Sequence, residues 1–157
     1  MSNPFINMPI SMREQILQKS IELLTPVMAN LGCTIFRSPT LPIAQDQLPA
    51  LALYVNEEKA EAKNGVVART LFIRVDSLAR AQGNVPAETV ADVLATVAHQ
   101  ALMNSPEKQT LLGPLIQSIR ESDLEWEVAE GDGVVVAVPS RYEIEYRTQR
   151  NDVTKKG

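Results

Sequence analysis

The sequence is short of most residues that carry chemistry. Its 157 residues include one cysteine, Cys33, and one histidine, His99. A lone cysteine permits no internal disulfide, so a stapled, secreted scaffold is not expected. Cys33 reads as a small buried side chain rather than a nucleophile. One histidine and one cysteine cannot make a zinc site of ordinary ligand count without several carboxylates. The seven glycines are dispersed, so there is no phosphate-cradling loop, and no Gly-x-Ser-x-Gly elbow accompanies His99. Carboxylates do come in pairs, as Glu57-Glu58, Glu125/Glu127 and Glu143/Glu145. The two strand pairs alternate with core residues as any solvated strand face does, so no catalysis is expected from them. No cofactor or metal is expected either.

Long apolar runs and basic clusters are missing as well. No stretch approaches the ~20 apolar residues of a membrane span. Residues 1–10 lack a basic segment followed by an apolar run, so no export signal is expected. The formal net charge of −4 argues against general nucleic-acid binding, which needs a clustered basic face. Aromatic residues are only 4% of the chain, leaving Leu, Ile, Val and Ala to do the packing. With 45% apolar and 22% charged residues, the chain reads as one soluble domain, long enough to bury roughly 70% of its extended surface.

What is present is periodicity. Residues 1–10, with Pro4 and Pro9, read as an irregular arm. Ser11 and Glu14 have capping-box spacing and open a helix over about residues 11–31, kinked or ended by Pro26 and stopped by Gly32. Residues 34–37 form a short strand. The loop from Ser38 to Pro49 carries three prolines and is expected to be extended and stiff. It enters the most apolar strand, residues 50–55, with Leu51, Leu53 and Val55 on one face and Ala50, Ala52 and Tyr54 on the other, covered on both sides. Residues 56–65 are polar and mixed in charge, either a solvated loop or a mobile arm that orders against a partner.

Residues 66–79 read as a long strand, Leu71, Ile73 and Val75 against Thr70, Phe72, Arg74 and Asp76. Pro86 begins a second helix, with Val90, Val93, Leu94, Val97, Ala101 and Leu102 as its apolar stripe to about Asn104. Residues 105–114 connect. Residues 116–129 are strand-like, and Gly131-Asp132 predicts a tight hairpin into the final strand. A two-residue loop there puts odd-numbered residues inward up to Ala137. The apolar Tyr142, Ile144 and Tyr146 are even, so a β-bulge is expected near Pro139. Residues 149–157 read as a disordered tail. The fold class is α+β: a mostly antiparallel sheet of about five strands, two main helices on one face, and a single domain over residues 11–148. The other sheet face, with Tyr54, Phe72, Arg74, Glu125, Glu127, Glu143, Glu145 and Arg147, is either solvated or a subunit interface.

Phe36-Arg37, Pro42 and then Leu48-Pro49-Ala50-Leu51-Ala52-Leu53-Tyr54-Val55 resemble the tail terminator proteins of long-tailed bacteriophages. Their pattern is an N-terminal helix, a short strand, a loop into Leu-Pro-Ala and an aliphatic strand. The later long charged strand, amphipathic helix and hairpin ending in Tyr146-Arg147-Thr148 are similar too, so the resemblance spans roughly residues 11–148. It implies a structural virion protein in the tail neck, assembled in the host cytoplasm, with no catalysis and no membrane. Subunits would form a homo-oligomeric ring, usually a hexamer, on the tail-tube protein, end tube growth and receive the head-completion or connector protein. DNA would pass the lumen without specific binding. By this analogy the loop with Pro42, Asp46, Leu48 and Pro49 and the segment with Glu57, Glu58, Lys59, Glu61 and Lys63 would meet partners. Tyr54, Arg74, Glu143 and Glu145 are candidates for subunit contacts. Two alternatives stay open: another neck component, or a small α+β enzyme or ligand-binding domain.

Overall fold

The computed structural model describes residues 3–122 and 135–157. The expected hairpin at 131–132 and the strand positions 123–129 lie outside them. The elements are α1 (Met12–Ala29), β1 (Thr34–Arg37), β2 (Ala50–Lys63), β3 (Val66–Arg80), α2 (Ala87–Asn104), α3 (Pro106–Leu111), β4 (Ser118–Ser122), β5 (Val135–Gln149) and β6 (Asp152–Lys156). The fold is α+β with a mostly antiparallel sheet, in the order β1-β2-β3-β5-β4, with β6 against the end of β5. Among the described residues only β1 and β2 run parallel. A parallel pair needs a crossover of about a dozen residues, and the proline loop, residues 38–49, supplies it. That loop is not extended throughout: Gln45–Gln47 form a 3-10 turn, closed where Ala44 N–H donates to the Gln47 side chain at 2.9 Å.

Local chemistry explains the helix ends. Ser11 Oγ accepts from the Glu14 N–H at 3.1 Å, half of the expected capping box. The Glu14 carboxylate turns instead to Arg37 on β1, taking two hydrogen bonds of 2.5 and 2.6 Å. Pro26 lies inside α1 without ending it. The helix stops where Gly32 takes φ +64°. Cys33 N–H reaches back to Met28 O and Gly32 N–H to Ala29 O, the pair of bonds that closes a Schellman motif.

α1 and α2 pack on one sheet face. Leu51, Leu53, Leu71, Ile73, Val75, Tyr142, Ile144 and Tyr146 meet Ile16, Leu24, Met28, Leu94 and Leu102, all buried. β2 starts two-sided, as expected, because Ala50 and Ala52 are also fully buried. The expected stripe of α2 is turned. Its buried residues are Ala91, Leu94, Ala98, Ala101 and Leu102, while Val93 is 42% exposed. Small alanines let the helix approach the sheet closely, which larger valines on that side would prevent.

Three expectations for the strands fail. Residues 56–65 are not a loop: β2 and β3 continue as one long hairpin with Lys63 opposite Val66. Asn64 and Gly65 form its two-residue turn at φ 45° and 86°, the paired positive values of a type I′ hairpin. The bulge is not at Pro139, since the β3–β5 register runs unbroken from Val66↔Gln149 to Arg80↔Val135. It lies in β2, where Val55 pairs with Ile73 and Glu57 with Phe72, leaving Asn56 extra. Finally, the tail is not disordered, because β6 pairs with β5 and Gln15 donates to Thr154 O at 3.2 Å.

Candidate functional site

The bulge at Asn56 reverses which side chains of β2 face the helices. Before it, odd-numbered residues point to the core; after it, even-numbered ones do. Glu57 and Glu58, adjacent in sequence, therefore do different work.

Glu58 goes to the helix side, where its side chain is only 12% exposed. Arg13 of α1 donates to it at 2.8 Å, Arg69 of β3 lies at 3.9 Å, and the Tyr146 hydroxyl donates to its carboxylate. Arg69 also donates through Nε to Thr148 at 3.0 Å. Burial raises the Tyr146 pKa, and the hydrogen bond to Glu58 adds to the shift. Glu58 thus ties the long hairpin to α1 and β5 within one subunit. Expected from sequence to meet a partner, it is engaged here by Arg13, Arg69 and Tyr146 of its own chain.

Glu57 goes to the outer face. There Phe72 is only 6% exposed although it stands outside the core cluster that the helices share. The Arg141 guanidinium stands 4.5 Å from its ring centroid and Lys59 Nζ 5.3 Å. Arg141 also donates to Glu57 at 3.0 Å, while its buried Nε has no hydrogen-bond partner among the described residues. The register carries the pattern across the strands: Tyr54, Arg74 and Arg141 in one row, then Glu57, Phe72, Glu143 and Arg120, then Lys59, Thr70, Glu145 and Ser118. Arg120 pairs with Glu143 at 2.6 Å and Glu145 at 3.5 Å, and Arg74 with Asp76 at 2.7 Å. Burial, then the Asp76 charge, raises the Tyr54 pKa.

The candidates from sequence thus separate. Tyr54, Glu57, Lys59, Arg74, Glu143 and Glu145 share the outer face. Glu61 and Lys63 are exposed near the hairpin tip, and Pro42 and Asp46 are exposed on the loop. Leu48 is buried and Pro49 half-buried, so they anchor the loop rather than present it. Arg13, Arg69, Arg120 and Arg141 were not singled out from sequence, and Tyr146 reads there only as an apolar strand residue. Reading Asn64-Gly65 as a hairpin turn would have paired β2 with β3 and exposed most of these contacts.

Among the described residues, positions 54–63 of β2 pair with β3 alone, because β1 covers the other edge only as far as Leu53. The result is an open strand edge lined by charged side chains. Charges on such an edge restrain indiscriminate pairing while leaving backbone groups available to a matched strand.

The possible chemistry is sparse. His99 Nδ1 lies 3.0 Å from the Tyr142 hydroxyl, in a cavity of about 560 Å³ lined by Asp92, Thr96, Glu121 and Ser140 among others. Burial pushes the Tyr142 pKa up to about 12 and the Cys33 thiol up to about 11. No group of three His, Cys, Asp or Glu residues suited to a metal ion occurs among the described residues. Among the described residues no helix is long and apolar enough to cross a membrane. No protein-family model matches the chain, and no curated protein matches it.

Proposed function

We propose that this protein is a structural subunit of a phage tail neck, a tail terminator. It assembles into a ring that caps the tail tube and receives the head connector. The observation that supports this reading best is the open edge of β2 beside an outer face of cross-strand ion pairs. A subunit with a free edge on one side of its sheet suits head-to-tail contacts, which close into rings when the rotation allows. The outer face has the mixture of charged and aromatic groups that a protein interface tolerates. The reading itself comes from the residues around Leu48-Pro49-Ala50. In it, Tyr54, Glu57, Lys59, Glu143 and Glu145 contribute contacts, and DNA crosses the lumen without specific recognition.

The test is electron microscopy and light scattering of the purified protein, alone and with tail-tube protein. Rings that cap tube ends are expected, and six copies of the 17.3 kDa chain make about 104 kDa. A monomer that binds only portal rings would replace this reading with another neck component. The His99–Tyr142 cavity favours a second reading, a small ligand-binding domain. Saturable binding of a small molecule that is lost in His99→Ala would support it.

A further inference from the structure

Residues 3–10, Asn-Pro-Phe-Ile-Asn-Met-Pro-Ile, contain no charged side chain. They are ordered by a turn at residues 4–7, with Phe5 N–H donating to Asn3 Oδ1 at 2.9 Å and Asn7 at φ 67°. Even so, Phe5 is 84% exposed, Ile6 63%, Met8 59% and Ile10 36%. At roughly 200 Å² for a large side chain, these fractions leave about 480 Å² of apolar surface uncovered. That is in the range of the largest patch on an ordinary monomer, here concentrated in eight residues.

The same molecule carries a groove of matching character. Leu23, Val27, Val97 and Ala101 floor a cavity of about 470 Å³ between α1 and α2, with Pro26 and Pro106 on its rim. Among the described residues Glu107 is the only charged one lining it, and the exposed Val93 lies one turn before Val97 on α2.

We propose that the arm of one copy seats Phe5 and Ile6 in this groove of a second copy. The chain's own arm does not fill this groove: none of residues 3–10 lines it, and Phe5 and Ile6 stand open to solvent. An uncharged arm suits an almost uncharged groove. Pro4 and Pro9 reduce the conformational freedom lost on docking. Phe5 and Ile6 supply about 290 Å² of the exposed apolar surface, so one seated arm buries roughly 600 Å² counting both partners and two reciprocal arms roughly 1,200 Å², the size of a small specific interface. The contact joins two different surfaces, so it builds a ring or chain of copies, or a reciprocal dimer. It does not depend on the tail reading.

The experiment mixes two single-cysteine chains, Phe5→Cys and Val97→Cys, each in a Cys33→Ala background and carrying tags of different mass. Mild oxidation is expected to link one chain of each kind. Phe5→Ser is expected to weaken self-association by roughly 30-fold or more, as loss of an anchoring side chain does. Val97→Lys is expected to do the same from the other side, with the circular dichroism spectrum of both unchanged. Absence of the mixed link, or a link formed only within a chain carrying both cysteines, would overturn the proposal. So would unchanged self-association in Phe5→Ser. Rings without the mixed link would remove the arm and leave the tail reading standing; the mixed link in a simple dimer would do the reverse.

Discussion

Replacing Glu58 with alanine tests the structural consequence of the Asn56 bulge. The substitution takes the acceptor away from the Tyr146 hydroxyl, on a residue only 2% exposed. A buried hydroxyl left without a partner costs about 1–3 kcal/mol. The Arg13 contact adds under about 1 kcal/mol, discounted because that side chain is 49% exposed. Arg69 keeps its bond to Thr148. The total is about 1–4 kcal/mol, or roughly 2–16 °C in Tm for a chain of this size. Glu57→Ala is the control, since its partner Arg141 lies on the outer face and the Glu57 side chain is 49% exposed; it is expected to cost at most about 1 kcal/mol. Urea denaturation followed by circular dichroism gives both values. Tyr146→Phe completes a double-mutant cycle, with an expected coupling to Glu58 of about 1–2 kcal/mol. Equal costs for Glu57→Ala and Glu58→Ala, or a coupling within about 0.3 kcal/mol of zero, would refute the reasoning.

Three further outcomes follow from the same contacts. Hydrogen bonding from Arg37 holds the Glu14 carboxyl below its ordinary value; a lowered folded pKa means the pair stabilises above the unfolded value near ~4.3 and stops doing so as pH falls through the folded value. Glu14→Gln should therefore lose up to about 1 kcal/mol at neutral pH and converge on the parent protein in acid, as denaturant titrations across pH will show. Gly65→Ala should cost roughly 1–2 kcal/mol by thermal melting, because φ is +86° and an added Cβ meets nothing within 4 Å, which leaves the backbone conformation as the source of the cost. Cys33, with its thiol raised to about 11 by burial, should resist alkylation at neutral pH in the native protein and react on unfolding, as mass spectrometry will report.

Much of the scaffold was legible because it follows from local chemistry. The Ser11 cap, the Gly32 stop, the long strand beginning at Val66 and the helix after Pro86 all rest on interactions within a few residues. The turned stripe of α2 was not legible, since valine and alanine are both apolar and only the distance to the sheet chooses between them. Asn64-Gly65 has the chemistry of a hairpin turn but reads from sequence as part of a loop, because the charged residues before it look solvated when no partner strand is in view. The parity argument at Pro139 failed because Val135 and Ala137 are as partly buried as Val136 and Val138, so hydrophobicity could not distinguish the two faces of β5. The tail residues 152–156 are polar, and it is pairing with β5 that orders them.

The sequence by itself determined the class of this protein: an α+β chain with two main helices, an apolar central strand and little equipment for catalysis. Periodicity and capping are encoded over a few residues, and composition needs no geometry at all. Only the tertiary structure decided the work of each charge. One extra residue at position 56 sends Glu58 inward to Arg13 and Tyr146 and leaves Glu57 outside over Phe72. Such a reversal depends on how β2 registers against β3, and a register is a relation between distant segments rather than a property of either one.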